Sequence, residues 1–306
     1  MTVRVAAIDC GTNSIRLLVA DIDDAARELR RDMQVVRLGQ GVDATGRFAD
    51  EAITRTFAAC DEYAAICTSL DVERIRFVAT SATRDAANRD VFMNGVHERL
   101  GVAPDVISGD EEAALSFAGA TRELVGLAPA PYLVVDIGGG STEFVLGDRT
   151  PAAARSVDIG CVRMTERHQF SGTPSAEQVA AVVADIDGAI SRAREVVPVE
   201  QAATFVAVAG SATTVAAMAL NLPAYDRDAI HGTVLSQAQV RQVSEQFLGM
   251  SRDARAALPF MHPGRVDVIP AGALILRRIM EVAELPEVRI SEHDILDGIA
   301  WSLAAS

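Results

Sequence analysis

Three short stretches carry residue types able to handle phosphate. Residues 134–143 (VVDIGGGSTE) read as a buried strand ending in Asp136, a turn of Gly138, Gly139 and Gly140, and Ser141, Thr142 and Glu143 entering a second strand. Glycines at the mouth of a strand let backbone N–H groups approach an anion closely, because no side chain shields them. Asp136 and Glu143 flank that turn, and carboxylates repel phosphate unless a hard cation such as Mg²⁺ lies between. Taken alone, the stretch fits a plain hairpin with a flexible tip equally well. A shorter echo stands at residues 3–21: a strand ending in Asp9, a turn through Gly11, Thr12, Asn13 and Ser14, and a β-rich return. Two such hairpins suggest duplicated α/β halves facing each other across a cleft, each turn gripping phosphate. A third turn, Gly210, Ser211, Ala212, Thr213, follows an apolar strand and opens a helix whose N-terminus suits an anion.

Candidates for acid–base work are few. Ser108 and Glu111 fit a capping box, in which Glu111 folds back onto the cap residue's backbone N–H. That leaves Glu112 without a capping role, pointing about 100° further round the helix, although an acidic residue at a helix start also suits the dipole. Arg84 follows a strand, where ligands collect in α/β sheets. It reads either as a surface residue near a helix start or as a bidentate phosphate clamp. His293 reads more simply as a capping or solvent-facing residue than as an acid–base group, and His262 lies in a turn.

The elements that must position these residues follow from periodicity. Ile53, Phe57, Cys60, Ala64 and Cys67 recur at helical spacing from Asp50 to Leu70, with both cysteines facing the core. Residues 37–46 are Gly-rich and read as a strand plus loop. Strands are expected at 74–79, 105–108, 204–209 and 288–290, and helices from 108 to about 124 and from 295 to 303. Thr173 with Pro174 behind it predicts an N-cap and first helical position for a helix to about Val197. Ser236 and Gln239 cap another, Pro270 begins a third, and the prolines at 129 and 131 mark the boundary between halves.

Composition narrows the function. The 306 residues are 49% hydrophobic and 23% charged, globular and long enough for two domains. No apolar run reaches the ~18 residues of a membrane span. The N-terminus enters a strand directly, without a signal-peptide pattern. Four cysteines without zinc spacing read as reduced thiols, so a cytoplasmic protein is expected. A net charge of −14 argues against non-specific nucleic-acid binding. All 28 basic residues are Arg. Schiff-base chemistry and a P-loop, both of which need Lys, are thereby excluded.

The motifs at 9–14, 79–84, 108–112, 136–143 and 209–213 occur in that order. Together they closely resemble the exopolyphosphatase / guanosine pentaphosphate phosphohydrolase family of the actin–hexokinase–Hsp70 superfamily. The resemblance covers essentially the whole chain, to the closing 291–298 (SEHDILDG). It implies an α/β protein of two ribonuclease-H-like domains with mixed sheets flanked by helices, residues 1–126 and 127–306. The last helix, 295–306, would cross back onto the first, and the active site would lie in the interdomain cleft. It implies Glu112 as the catalytic residue, and Asp136 and Glu143 at the metal and water-handling positions. Gly11, Thr12, Asn13, Ser14, Ser81, Arg84, Gly138, Gly139, Gly140, Ser141, Gly210, Ser211 and Thr213 match phosphate-binding positions. The implied activity is Mg²⁺-dependent release of orthophosphate from inorganic polyphosphate. Alternatives are 5′-phosphate removal from guanosine pentaphosphate and a non-catalytic sensor of polyphosphate or nucleotide. A homodimer is implied by family habit.

Overall fold

The computed structural model of the protein describes residues 2–170 and 172–304. The chain forms two compact units, residues 1–119 with 295–306, and residues 120–294. The last two positions of the 295–306 segment lie outside the described residues. Among the described residues, no helix is long and apolar enough to cross a membrane.

The first unit runs β1 (Val3–Cys10), β2 (Ser14–Ile22), β3 (Ala26–Val35), α1 (Val42–Thr45), α2 (Asp50–Ser69), β4 (Arg74–Ala79), α3 (Ser81–Asp85), α4 (Arg89–Leu100), β5 (Asp105–Val106) and α5 (Gly109–Thr121). Its sheet has the order β3-β2-β1-β4-β5, antiparallel in the hairpins and parallel from β1 onward. Successive residues of β1 point to opposite faces, and both faces are apolar. Ala6 and Ile8 join the core made with Cys60 and Tyr63 of α2 and Phe92 of α4. Val5 and Ala7 face the other way, toward Ile295, Leu296 and Ile299. Sheets covered on both faces require such continuous apolar strands. Cys60 and Cys67 are buried as the helical spacing requires.

The second unit runs β6 (Tyr132–Ile137), β7 (Thr142–Gly147), β8 (Pro151–Val157), α6 (Cys161–Arg167), α7 (Ala176–Arg194), β9 (Thr204–Val208), α8 (Ala209–Ala219), α9 (Arg227–Ile230), β10 (Val234–Ser236), α10 (Gln237–Gly249), α11 (Arg252–Ala256), α12 (Ile269–Val282) and β11 (Glu287–Ile290). Its sheet order is β10-β11-β9-β6-β7-β8. Strands β8-β7-β6-β9 repeat the arrangement of β3-β2-β1-β4, so the duplication read from the two Asp–Gly hairpins extends to strand order. The chain then returns to the first unit as α13 (Ile295–Ala304). Gly298 lets α13 press against α5, since a Cβ there would lie 2.0 Å from the Leu115 carbonyl oxygen.

Two local expectations change. Helix α7 is capped by Ser175, not Thr173: the Ser175 hydroxyl accepts from the Gln178 N–H while the Gln178 side chain accepts from the Ser175 N–H. That reciprocal box satisfies two donors, which Thr173 ahead of Pro174 does not do. Residues 37–46 hold no strand; Gly41 and Gly46, both with positive φ, bracket the short α1. In the loop before α1, Gly39 lies against Thr12, where a Cβ would come within 2.4 Å of the Thr12 methyl.

Candidate functional site

The two hairpins place their acidic residues by the same register. In the first unit Asp9 pairs across the ladder with Arg16, and in the second Asp136 pairs with Glu143. Residues directly opposite in an antiparallel pair share a face of the sheet. Arg16 donates to Asp9 Oδ2 through Nη2 at 2.6 Å and Nε at 3.0 Å. Asp136 and Glu143 are 6% and 1% exposed, and Ser156 donates to Glu143 Oε1 at 2.7 Å. Two buried carboxylates side by side repel each other, and their hard oxygen donors match a divalent cation such as Mg²⁺. The donor set therefore fits the metal that the sequence implied there.

The glycine turns present N–H groups because their carbonyls are occupied elsewhere. Cys161 N–H donates to the Gly138 carbonyl, those of Val162 and Arg163 to Gly139, and Arg163 Nε to Gly140. In a trans peptide the carbonyl of one residue and the N–H of the next point in opposite directions. The N–H groups of Gly139, Gly140 and Ser141 thus face away from α6. The first turn repeats the device: Gly39 N–H takes the Thr12 carbonyl, and Val36 and Arg37 N–H take that of Asn13. That turns the N–H groups of Asn13 and Ser14 outward. Gly11 and Gly138 act differently from the expected anion donors, for each spends its N–H on the carbonyl three residues on, Ser14 or Ser141, and closes its turn. Gly160 allows the close approach of α6, where a Cβ would lie 2.4 Å from the Gly139 carbonyl oxygen.

Glu112 sits in the first turn of α5 at 8% exposure and accepts from Arg84 Nη1 at 2.8 Å. The same nitrogen donates to the Ile107 carbonyl at 2.9 Å. Arg84 therefore orients Glu112, a role that neither sequence reading of this Arg contained. Ser108 caps the Glu111 N–H, but the expected return bond is replaced. The Glu111 carboxylate points outward to Arg76 Nη2 at 2.6 Å, because the half-buried guanidinium offers it a stronger, charged partner. Ser81 joins the first turn through its hydroxyl, 3.0 Å from that of Thr12.

The third turn leaves β9 beside the end of β6, where Val208 is the parallel neighbour of Asp136. Ser211 is turned inward against Gly272 and hydrogen-bonded with the Cys161 thiol, so its side chain serves packing. Arg265, which sequence reasoning did not single out, lies with its guanidinium over Gly210 and donates to Thr214 Oγ1 at 3.0 Å. Its guanidinium also stands 5.7 Å from the Tyr225 ring centroid, a cation–π approach. Tyr225 is 37% exposed, and its hydroxyl lies 2.8 Å from Thr213 Oγ1 and 2.6 Å from Glu292 Oε1. Burial of that hydroxyl end raises its pKa, with Glu292 adding to the rise against Arg265.

Glu123, His231 and His293 converge with metal-like spacing, the carboxylate 3.3 Å from one nitrogen of each ring. Hydrogen-bond polarity opposes a metal there. The backbone N–H of Glu292 donates to His231 Nδ1 at 3.1 Å, so the neutral ring carries its proton on Nε2, the nitrogen aimed at Glu123. A metal-bound imidazole has the reverse arrangement and donates from its other nitrogen. His293 is thus a partner of Glu123 and His231, neither a cap nor merely solvent-facing. Buried Cys10 beside the first turn has its thiol pKa pushed well up by desolvation, which opposes redox sensitivity.

The chain resembles known proteins over its whole length. The model of the Ppx/GppA phosphatase family matches residues 18–306. Exopolyphosphatase 2 of Mycobacterium tuberculosis is 50% identical over 98% of both chains. The crystal structure of an exopolyphosphatase-like protein superposes with a TM-score of 0.95 at 42% identity, covering 99% of this chain and 98% of that one. A guanosine-5′-triphosphate,3′-diphosphate pyrophosphatase of Vibrio atlanticus is 30% identical over 97% of this chain and 59% of its own length.

Proposed function

Because the chain belongs to the Ppx/GppA phosphatase family, we propose that it is an exopolyphosphatase, a hydrolase releasing orthophosphate from the terminal phosphoanhydride of inorganic polyphosphate. The observation that carries this reading is the buried Asp136–Glu143 pair beside a turn whose N–H groups face outward. Phosphoanhydride hydrolysis needs little covalent chemistry, only a positioned water and neutralisation of charge on the phosphate oxygens.

The residues divide that work. Glu112, held by Arg84, orients the attacking water and takes its proton at a carboxylate oxygen. The N–H groups of Asn13, Ser14, Gly139, Gly140 and Ser141 stabilise negative oxygens without reorganising. Asp136 and Glu143 would hold Mg²⁺, which when bound neutralises part of the phosphate charge. A sensor would need no carboxylate base, so the Arg84-held Glu112 favours hydrolysis over binding alone. The second reading, 5′-phosphate removal from guanosine pentaphosphate, is favoured by the likeness to the Vibrio enzyme and uses the same groups. The net charge of −14 leaves nucleic acid out of the expected partners. A homodimer and a cytoplasmic location complete the proposal.

Phosphate release from polyphosphates of defined length and from guanosine pentaphosphate, with Mg²⁺ and with EDTA, tests the reading. Release from polyphosphate that EDTA abolishes is the expected result. Release from guanosine pentaphosphate alone would select the second reading, and none from either would leave a sensor.

A further inference from the structure

Arg163 holds the second glycine turn twice, once through its backbone and once through its side chain. Its N–H joins that of Val162 on the Gly139 carbonyl, at 3.0 and 2.9 Å. Its guanidinium Nε donates to the Gly140 carbonyl at 2.6 Å, short even for a bond from a charged donor. The Gly140 carbonyl and the Ser141 N–H belong to one peptide unit. Positive charge at the oxygen draws electron density from the nitrogen, and an amide so polarised donates more strongly at its other end. That N–H is turned away from α6, and no backbone carbonyl among the described residues takes it. The first turn is held by weaker partners. There the Thr12 and Asn13 carbonyls accept from the backbone N–H groups of Gly39, Val36 and Arg37. The second turn thus takes a charged donor where the first takes neutral ones.

We propose that Arg163 is a positioning residue of the phosphate site, which acts through the Gly140–Ser141 peptide and strengthens the Ser141 N–H as the donor to a phosphate oxygen on which charge grows. This rests on the reading of that turn as a phosphate turn. A stronger donor counts most where its acceptor gains charge, so the effect falls on the transition state more than on bound substrate. The backbone N–H groups of Cys161, Val162 and Arg163 hold Gly138 and Gly139 independently of the Arg163 side chain. The turn therefore keeps its shape when the guanidinium is removed, and only the Gly140 carbonyl loses its partner.

Two substitutions separate the charge from the hydrogen bond. Arg163→Gln places its amide nitrogen at the same distance along the side chain as the Arg Nε, so the donor stays and the charge goes. Arg163→Met has a similar length and supplies neither. The test reads kcat and KM on polyphosphate with Mg²⁺, beside the amide proton resonance of Ser141 in the full chain without substrate. kcat should fall about fivefold in Arg163→Gln and about thirtyfold in Arg163→Met, short of the roughly 10²–10³ of a lost oxyanion donor, with KM within about twofold. The Ser141 amide proton should move upfield in the same order, while that of Ser14, on the neutrally held turn, should not move. Wild-type kcat in Arg163→Gln, or an unmoved Ser141 resonance, would overturn the proposal. So would a rise in KM that accounts for the whole loss of kcat/KM, which marks ground-state binding. If Arg163→Met misfolds, Arg163→Gln carries both readouts. A wild-type chain that releases no phosphate from polyphosphate defeats the functional reading instead. The Ser141 resonance then decides alone, an upfield shift sustaining the polarised peptide and no shift overturning it.

Discussion

At the seventh position after its strand-ending Asp, the first-unit hairpin carries Arg16 and the second-unit hairpin carries Glu143. Backbone, register and glycine turn are otherwise alike. In the first unit the carboxylate is neutralised within the fold, by an Arg reaching across the ladder. In the second the opposed residue is a second acid, Glu143, whose Oε1 accepts from Ser156. One side chain therefore decides whether this hairpin carries an acid–base pair or two acids, and on the proposed function the second kind is the one that holds a cation. Sheet architecture alone would not separate the two.

The strongest way to break the comparison is to make the second hairpin resemble the first. Glu143→Arg should close it with an internal ion pair, abolish Mn²⁺ binding and cut phosphate release by on the order of 10² or more, since a catalytic metal contributes several kcal/mol. Persistence of both activities would show that the pair does not hold the cation. Next in size is the pair on α5. Glu112→Gln should lower kcat by about 10², the low end for a general base, with KM nearly unchanged. Glu111→Gln, which loses only an exposed partner of Arg76, should leave kcat within about twofold and stability within ~1 kcal/mol. A reversed ranking in the same assay would exchange their roles.

Stability without metal gives a sharper, smaller contrast. In EDTA, Arg16→Ala should destabilise by roughly 2 kcal/mol, because Asp9 is left buried without its partner. Glu143→Gln should instead be neutral or stabilising, since it removes one of two opposed charges. Urea midpoints of the two variants moving in the same direction would refute the electrostatic distinction. The smallest effect concerns His231, whose pKa is lowered, first by burial and then by the neighbouring His293. The charged groups facing it are Glu123, His293 and Glu292. The folded chain resists protonating this ring more than the unfolded chain does. Stability should therefore fall as pH drops through the ordinary histidine range near 6.5, and level off below the depressed value. His262, lowered by burial and Arg265, acts in the same sense. A thermal midpoint that falls equally in His231→Gln would assign the effect elsewhere.

The sequence shows these features where the signal is local. An Asp, two or three residues with glycine, and a β-rich return announce both hairpins, and the capping pattern of 108–112 drew attention to Glu112 by occupying Glu111. That route was right about Ser108 and wrong about Glu111, whose carboxylate finds Arg76 on strand β4, 35 positions away in sequence. Arg16 could have been found, since its offset from Asp9 equals that of Glu143 from Asp136. Strand β3 could not, because an edge strand whose residues are all exposed or half-buried shows no apolar alternation. Tyr225 and Arg265 were equally hidden. They reach the third turn through tertiary packing from sequence positions carrying no phosphate motif.

Helix α13 has a consequence for how the protein is made. The first unit begins at the N-terminus, but one apolar face of its sheet is covered by residues at the other end of the chain. During synthesis Val5, Ala7 and Leu18 must wait, with that face open to water, until Ile295 and Ile299 emerge. The second unit, continuous from 120 to 294, has all its parts earlier. The half that is translated first is thus the half that finishes folding last.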